Sequence, residues 1–111
     1  MGAEYRRQLE HLIADASLPT NCVISYKSVF GAVGAYANGH IFMSSGKFGV
    51  ALKLAEDTCA ALIAAGAGKP LKYFEKGHIK RNYVVLSGCV LKDKARAQAL
   101  LRQSAAFVKG I

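Results

Sequence analysis

Three cysteines and three histidines are the side chains of this sequence that are best suited to metal binding or nucleophilic chemistry. Zinc sites and disulfide frameworks usually show closely spaced pairs of ligands or cysteines, and none of these residues lies close to another in the sequence. We therefore predict reduced thiols, at least two of them buried, with no metal site and no cofactor. The residues are Cys22, Cys59, Cys89, His11, His40 and His78.

The sequence also carries none of the compact motifs of an enzyme active site. The adjacent carboxylates of Glu56 and Asp57 lie at the start of a predicted helix, where they favour the positive end of the helix dipole. Residues 66–70 lack both the first glycine and the magnesium-binding Ser or Thr of a phosphate-binding loop. We therefore predict no catalytic residues. A small-molecule or catalytic site built from distant segments is an alternative, which a pocket placing His40 or His78 beside a cysteine would support.

Basic residues interleaved with aromatic residues form the most informative charge cluster, in residues 69–83. Basic groups can neutralise phosphates while an aromatic ring offers a stacking surface, so the segment is a candidate nucleic-acid site. Solvated lysines that protect a sheet edge are the competing interpretation, which we favour. The candidate residues are Lys69, Lys72, Lys76, Lys80 and Arg81, and the aromatic residues among them are Tyr73, Phe74 and Tyr83.

The overall composition is that of a basic globular protein. The 111 residues hold 15 Lys plus Arg against 7 Asp plus Glu, for a formal net charge of +8, and 52% of them are hydrophobic. Such a charge favours encounter with anionic partners, either nucleic acid or an acidic protein face. No apolar run approaches the ~20 residues that span a bilayer, and the N-terminal segment lacks the apolar core of a signal peptide. We therefore expect one cytoplasmic domain over residues 1–111, with no membrane contact.

Hydrophobic periodicity predicts a helix followed by four strands in the first half of the chain. Apolar residues spaced as one helical face mark residues 4–16, and Pro19 ends that helix. From residue 22 to residue 54 the period changes to two, which is typical of strands. The pair Asn38-Gly39 is a strong hairpin signal, because a type I′ turn needs positive φ at both central residues. Short loops between the strands predict an antiparallel meander.

The second half of the sequence predicts two more helices around a further hairpin. Helical spacing returns over residues 56–65, residues 71–75 and 83–87 are typical of paired strands, and Asp93 can cap a last helix. The order of elements is therefore α-β-β-β-β-α-β-β-α. We expect an α+β fold with an antiparallel sheet of about five to six strands and with its helices packed on one face. The other face would be solvated or would meet a partner.

An ordered set of motifs runs through most of the chain. Residues 28–31 (Ser-Val-Phe-Gly) end a strand, residues 34–42 combine glycines with an aromatic hairpin, and residues 48–54 form a strand that contains Leu-Lys. Gly66, Tyr73 and residues 83–86 follow at matching places. In this order and spacing the chain resembles the N-terminal domain of the TfoX/Sxy family of bacterial competence regulators.

The resemblance implies an α+β domain without known catalysis that is linked to transcription control through protein contacts and self-association. Since the sequence ends at Ile111, it also implies a stand-alone N-terminal domain without the separate C-terminal domain of full-length regulators. The matching glycines and aromatics have a structural interpretation, because glycines permit turns and aromatics bury large areas. They are Phe30, Gly31, Tyr36, Gly39, Phe42 and Tyr83.

The leading hypothesis is therefore a non-enzymatic interaction module that docks on a protein partner. A homodimer through an uncovered sheet face or edge is one form that this contact would take. The alternative is direct nucleic-acid binding through the basic hairpin of residues 69–81. It predicts an affinity that falls steeply with salt, and a shallower slope when Lys80 and Arg81 are neutralised.

Overall fold

The computed structural model describes residues 2–18, 21–29, 31–71 and 80–109 of the chain. The predicted order of elements is confirmed, with one short additional helix directly before the last one. No helix in these ranges is long and apolar enough to cross a membrane. The helices are α1 (Gly2–Ala16), α2 (Glu56–Ala64), α3 (Gly88–Lys92) and α4 (Lys94–Lys109). The strands are β1 (Ile24–Val29), β2 (Ala32–Ala37), β3 (His40–Gly46), β4 (Gly49–Lys53), β5 (Gly68–Leu71) and β6 (Lys80–Leu86).

These strands form a single antiparallel sheet in the order β1-β2-β3-β4-β6-β5. The first four strands are the predicted meander, and β6 lies between β4 and β5, so that β1 and β5 are the two edges. At the turn between β2 and β3, Asn38 has a φ of 51° and Gly39 a φ of 86°. Both central residues thus have the positive φ that the predicted hairpin requires.

The last hairpin begins earlier in the chain than the sequence indicates. The strand β5 covers Gly68–Leu71, whereas periodicity predicts a strand over residues 71–75. Proline is unfavourable inside a sheet because it lacks the N–H group, but an edge strand tolerates it. Pro70 lies on such an edge, opposite Val84 of β6. Most of residues 71–75 and the turn predicted at Lys76-Gly77 lie outside the described residues.

One side of the sheet packs against all four helices, and we call it the helix side. Alternate side chains of each strand face this side, as the two-residue period of a strand requires. Together with apolar residues from the helices they form one buried cluster, which confirms that the helices lie on one face. Its larger members include Leu9, Ile13, Val33, Phe42, Met43, Val50, Leu52, Leu54, Val84, Leu86, Val90, Leu100 and Leu101.

A β-bulge in β3 provides an attachment point for α4. The register shifts between Ala35 and Tyr36, which leaves Phe42 as the extra residue of β3. On α4, the fully buried Ser104 places its Oγ 2.7 Å from the carbonyl oxygen of Phe42 and 2.7 Å from that of Lys53. Because a hydroxyl has one proton, it donates to one of these two carbonyl oxygens at a time. The hydroxyl thus links α4 to the strands β3 and β4.

The first and last helices are joined by a side chain that caps a helix end. The last carbonyl groups of an α-helix have no partner within the helix, and the last turn of α1 holds no basic residue. Arg102 of α4 supplies a donor instead, because its Nη1 lies 2.9 Å from the carbonyl oxygen of Ala16. This contact ties the end of α1 to α4.

Candidate functional site

The predicted basic cluster falls only partly within the described structure. Lys69 lies on the edge strand β5, opposite Val85, and its side chain is exposed. Lys80 and Arg81 are the first two residues of β6, and the structure describes their backbones but not their side chains. Lys72 and Lys76 lie outside the described residues altogether. The cluster as a nucleic-acid site therefore stays a prediction.

The three cysteines are free thiols in three different surroundings. Cys22 is half-buried, Cys59 is buried and Cys89 is exposed, so the prediction that at least two of them are buried is wrong, because Cys89 lies on the solvent side of the short helix α3. The Sγ of Cys59 lies 3.6 Å from the carbonyl oxygen of Leu54, to which the thiol donates. Burial raises the pKa of Cys59, with a smaller lowering from this hydrogen bond and further raising from Asp57 and Glu56. A thiol with a raised pKa stays protonated, so Cys59 is a core residue rather than a nucleophile.

The histidines are as dispersed in the fold as they are in the sequence. His11 lies on α1, His40 begins β3, and His78 is outside the described residues. In the part of the chain that the structure describes, no three His, Cys, Asp or Glu side chains are grouped so that they could hold a metal ion.

The described carboxylates are confined to one of the two layers of the fold, whereas basic residues occur in both. The six strands contain no Asp or Glu, whereas they carry Lys27, Lys53, Lys69, Lys80 and Arg81. Every carboxylate in the described ranges lies on a helix or directly beside one. These residues are Glu4, Glu10, Asp15, Glu56, Asp57 and Asp93. Because the basic residues of the strands have no acidic neighbour within the sheet, the sheet layer is a cationic surface.

Two lysines on the side of the sheet away from the helices, which we call the far side, lie over tyrosine rings. The Nζ of Lys27 is 5.2 Å from the ring centroid of Tyr36, and the Nζ of Lys53 is 5.8 Å from that of Tyr83. These distances fit cation–π contacts. Each contact restrains a flexible ammonium group above the sheet. It also occupies the ring face that a nucleic-acid base would need for stacking.

The centre of the far side is built from small residues. Gly34 of β2, Ser44 of β3 and Ala51 of β4 are directly paired across the sheet, with Lys27 of β1 completing this row at the edge. Ser44 and Ala51 have no exposed area. The Oγ of Ser44 has no hydrogen-bond partner in the structure. The far side is therefore closed at its centre. Beside the centre lies a second, smaller apolar cluster, formed by Ala51, Leu71 and Val85 with Phe48 and Tyr83 packed against it.

A third cation–aromatic contact lies on the helix side of the β1 edge. The guanidinium carbon of Arg6 on α1 is 4.9 Å from the ring centroid of Tyr26, and its Nε is 3.6 Å from the Oε2 of Glu10. Burial raises the pKa of Tyr26, an effect to which Glu10 adds and which Arg6 opposes. A cleft of about 340 Å³ opens beside this contact. It is lined by Ala3, Arg6, Tyr26, Lys27, Ser28 and Val33.

A second cleft, of about 440 Å³, lies where the β2–β3 turn approaches the end of α4. Tyr36, His40 and Lys53 contribute polar groups to its lining, and Phe107 is an exposed aromatic at its margin. No cysteine lines it. This cleft therefore does not place His40 beside a cysteine, which is the arrangement that would have supported a small-molecule or catalytic site.

Sequence reasoning locates the basic residues but misses how they are arranged. The sequences of β1 and β4, each with a single lysine, give no sign that Lys27 and Lys53 each lie over a tyrosine of a neighbouring strand. The absence of carboxylates from residues 22–54 is visible in the sequence, and it signals the cationic sheet layer once those residues are assigned to strands.

Comparison with known families gives one result over most of the chain. The family model described as the TfoX N-terminal domain matches residues 21–108. The matched segment begins after α1 and includes the six described strands, the helices α2 and α3, and all but the last residue of α4. No curated protein sequence matches the chain.

Proposed function

The chain belongs to the TfoX N-terminal domain family, and on that premise we propose that it is a non-enzymatic regulatory module that acts through protein contacts. Its setting would be transcription control in the cytoplasm, as the resemblance to competence regulators implies. In this proposal the chain recognises a partner by its surface and carries out no reaction on it.

The cationic sheet layer, whose six strands contain no Asp or Glu, is the observation that carries this proposal. A cationic layer without carboxylates selects for an anionic partner and speeds encounter with it. The cation–π contacts of Lys27 and Lys53 support a role in recognition, because restrained side chains lose less conformational entropy when a partner binds. Catalysis has no comparable support, since the described histidines and cysteines do not converge on one cleft.

The proposal is tested by capture of partners on the immobilised full-length chain. We expect a small number of proteins to be retained saturably, after nuclease treatment, and to elute as salt is raised, because the attraction is electrostatic. The control is an equal amount of immobilised Leu52→Asp variant. This substitution places a charge in the core and should prevent folding. Retention of the same proteins by both immobilised chains, or of none by the native chain, would contradict the proposal.

Direct binding of nucleic acid is the second candidate, favoured by the backbone placement of Lys80 and Arg81 on the same carboxylate-free sheet. Fluorescence anisotropy of a labelled random duplex at about 50 and 200 mM salt tests it. This function requires saturable binding that weakens as salt is raised, with a shallower salt dependence in a Lys80→Gln/Arg81→Gln variant. Absence of binding at the lower salt would leave protein contact as the surviving candidate.

Self-association is a further part of the proposal, because a regulatory module can present its surface as a homodimer. Sedimentation equilibrium of the full chain measures it directly. A molar mass twice that of the chain would support the dimer, and a constant monomer mass up to about 100 µM would contradict a dimer of micromolar affinity.

A further inference from the structure

We propose that the free edge of β1 binds an extended segment of a partner protein in which carboxylate and apolar side chains alternate. The segment would add to the sheet as a seventh, antiparallel strand, with its carboxylates on the far side and its apolar side chains on the helix side. This inference rests on the proposed function, for which it names the contact surface and the chemistry of the partner.

The two edges of the sheet differ in how they resist the addition of a strand. The β5 edge has the usual protective features, because it is four residues long, contains Pro70 and has a register shift between Pro70 and Leu71. The β1 edge pairs with β2 in continuous register over six residues and contains no proline or glycine. A long, regular edge of this kind is a template for another strand.

Among the described residues, no strand pairs with the outer side of β1. The amide N–H of Asn38 donates to the carbonyl oxygen of Val23 over 2.9 Å, which identifies Val23 as hydrogen-bonded to β2. Because hydrogen bonding alternates along an antiparallel pair, Ser25 and Lys27 also bond to β2. The N–H and carbonyl groups of Ile24, Tyr26 and Ser28 therefore point away from the sheet, towards an incoming strand.

Side chains on the two sides of the β1 edge favour different residues of that strand. On the far side Lys27 is exposed, and the sheet offers no carboxylate to pair with it, so a partner carboxylate is favoured there. On the helix side, Glu10 already lies beside Arg6, and the ring of Tyr26 borders the cleft of about 340 Å³. An apolar side chain can pack on Tyr26 and Val33 in this cleft, where Arg6 already has Glu10 as an acidic neighbour.

Lys27 also argues against a second copy of the chain as the occupant. When two β1 strands pair antiparallel about their centres, the two Lys27 residues lie on the same side of the joined sheets, within about 8 Å of each other. That like-charge pair is unfavourable. The same lysine that disfavours self-pairing attracts an acidic strand.

The experiment uses the full chain and a capped, fluorescein-labelled peptide of eight residues in which glutamate and valine alternate. We expect saturable binding by fluorescence anisotropy, with shifts of the β1 amide signals in ¹⁵N-resolved spectra. Lys27→Glu should weaken binding roughly fivefold to tenfold, because it replaces an attractive cross-strand pair with a repulsive one. Lys69→Glu is the matched control at the opposite edge, and it should leave binding within about twofold of the native chain.

Two further changes test the backbone contact. Ser28→Pro removes an outward N–H without removing a bond to β2, and it should abolish binding. In case this variant folds poorly, a peptide with alternate N-methylated residues removes the same hydrogen bonds while the protein is unchanged, and it should fail to bind. Undiminished binding of the N-methylated peptide would overturn the inference, and so would equal weakening by Lys27→Glu and Lys69→Glu.

Other occupants of the edge give different results. A dimer that Ser28→Pro converts to a monomer would assign the edge to a second copy and overturn the inference. Loss of duplex binding in Lys27→Glu, with no peptide binding by the native chain, would assign the edge to nucleic acid and overturn it as well. If the native chain and a folded Ser28→Pro variant capture the same partner equally, the contact at the β1 edge is overturned but the proposed function is not. If the native chain captures no partner, the proposed function itself is overturned.

Discussion

At the scale of single residues, three buried serines on or near β3 show how differently one hydroxyl group can be used. Ser104 reaches two strand carbonyl groups, and the Oγ of Ser45 donates to the Oε1 of Gln8 on α1 over 2.7 Å. Ser44, on the far side, has no partner. A satisfied buried hydroxyl stabilises a fold, whereas an unsatisfied one lowers stability by the cost of its desolvation.

The first prediction compares two serine-to-alanine substitutions. Ser104→Ala should lower the free energy of unfolding by about 1–3 kcal/mol, because it removes the one hydroxyl donor that the buried carbonyl groups of Phe42 and Lys53 share. Ser44→Ala should leave stability unchanged or raise it by up to about 1 kcal/mol, because it removes an unsatisfied hydroxyl. Urea denaturation of the two variants beside the native chain measures both. Equal destabilisation by the two substitutions would contradict this description of their hydrogen bonds.

The second prediction concerns the buried thiol of Cys59. Since burial raises its pKa in the folded state, protonated Cys59 is favoured by folding, and its contribution is complete below the ordinary thiol pKa of about 8.5. Stability should fall as the pH rises from about 8.5 through the raised pKa of the folded state. Tyr26, whose pKa is also raised, should act in the same direction at higher pH.

Unfolding free energies at several pH values between about 8 and 10 test this dependence. The Cys59→Ala variant is the comparison, because it removes the titrating thiol, and it should show a shallower loss of stability even though its absolute stability is lower. Parallel pH profiles for the variant and the native chain would exclude Cys59 as the source.

At the scale of elements, the two longest helices, α1 and α4, differ in where their capping groups come from. The helix α4 is capped locally, since the backbone N–H of Arg96 donates to the Oδ1 of Asp93 over 3.3 Å, as the sequence predicts. The end of α1 instead depends on Arg102, across the core. A residue that is 86 positions away in sequence gives no local signal of this role.

The third prediction tests this long-range cap. Arg102→Met keeps much of the side chain's length but removes the donor, and it should lower the free energy of unfolding by about 1 kcal/mol. Arg96→Met on the same helix is the matched control, and it should have little effect because the cap of α4 uses the backbone of Arg96. Thermal unfolding of both variants provides the measurement, and a loss in Arg96→Met as large as that in Arg102→Met would refute the cap.

At the scale of the whole molecule, the sheet layer concentrates positive charge while the carboxylates lie with the helices. The net charge of +8 therefore acts as repulsion among the strand lysines more than as a uniform surface charge. Dissolved salt screens exposed charges over about 10 Å at 0.1 M, which is less than the width of a six-stranded sheet. Repulsion across the sheet is thus sensitive to ionic strength.

The fourth prediction follows from this repulsion. The free energy of unfolding should rise by roughly 1 kcal/mol between low salt and about 0.3 M sodium chloride, because screening relieves the folded state. A Lys27→Gln/Lys69→Gln variant, which removes one charge from each edge, should show a smaller rise. Urea denaturation at the two salt concentrations provides the comparison. Stability that falls with salt would mean that attractive ion pairs dominate.

The same difference in scale explains what the sequence could and could not predict. The strands of residues 22–54, the turn at Asn38-Gly39 and the cap at Asp93 depend on neighbouring residues, so local patterns identified them. The predicted start of β5, at residue 71, was wrong because Pro70 argues against a strand unless that strand is known to lie at the edge of the sheet. The candidate surface was found only in part. Its lysines are visible in the sequence, but their tyrosine partners lie on neighbouring strands, and the free edge is a property of strand order.

The contact between Arg102 and the end of α1 also has a consequence for how the chain matures during synthesis. A ribosome releases α1 before α4, and α4 packs against both α1 and the strands β2, β3 and β4. Until α4 has left the exit tunnel, the apolar residues of β2 to β4 lack this cover. The emerging domain therefore passes through a stage in which its future core is accessible to chaperones, and its folding must largely follow the release of α4.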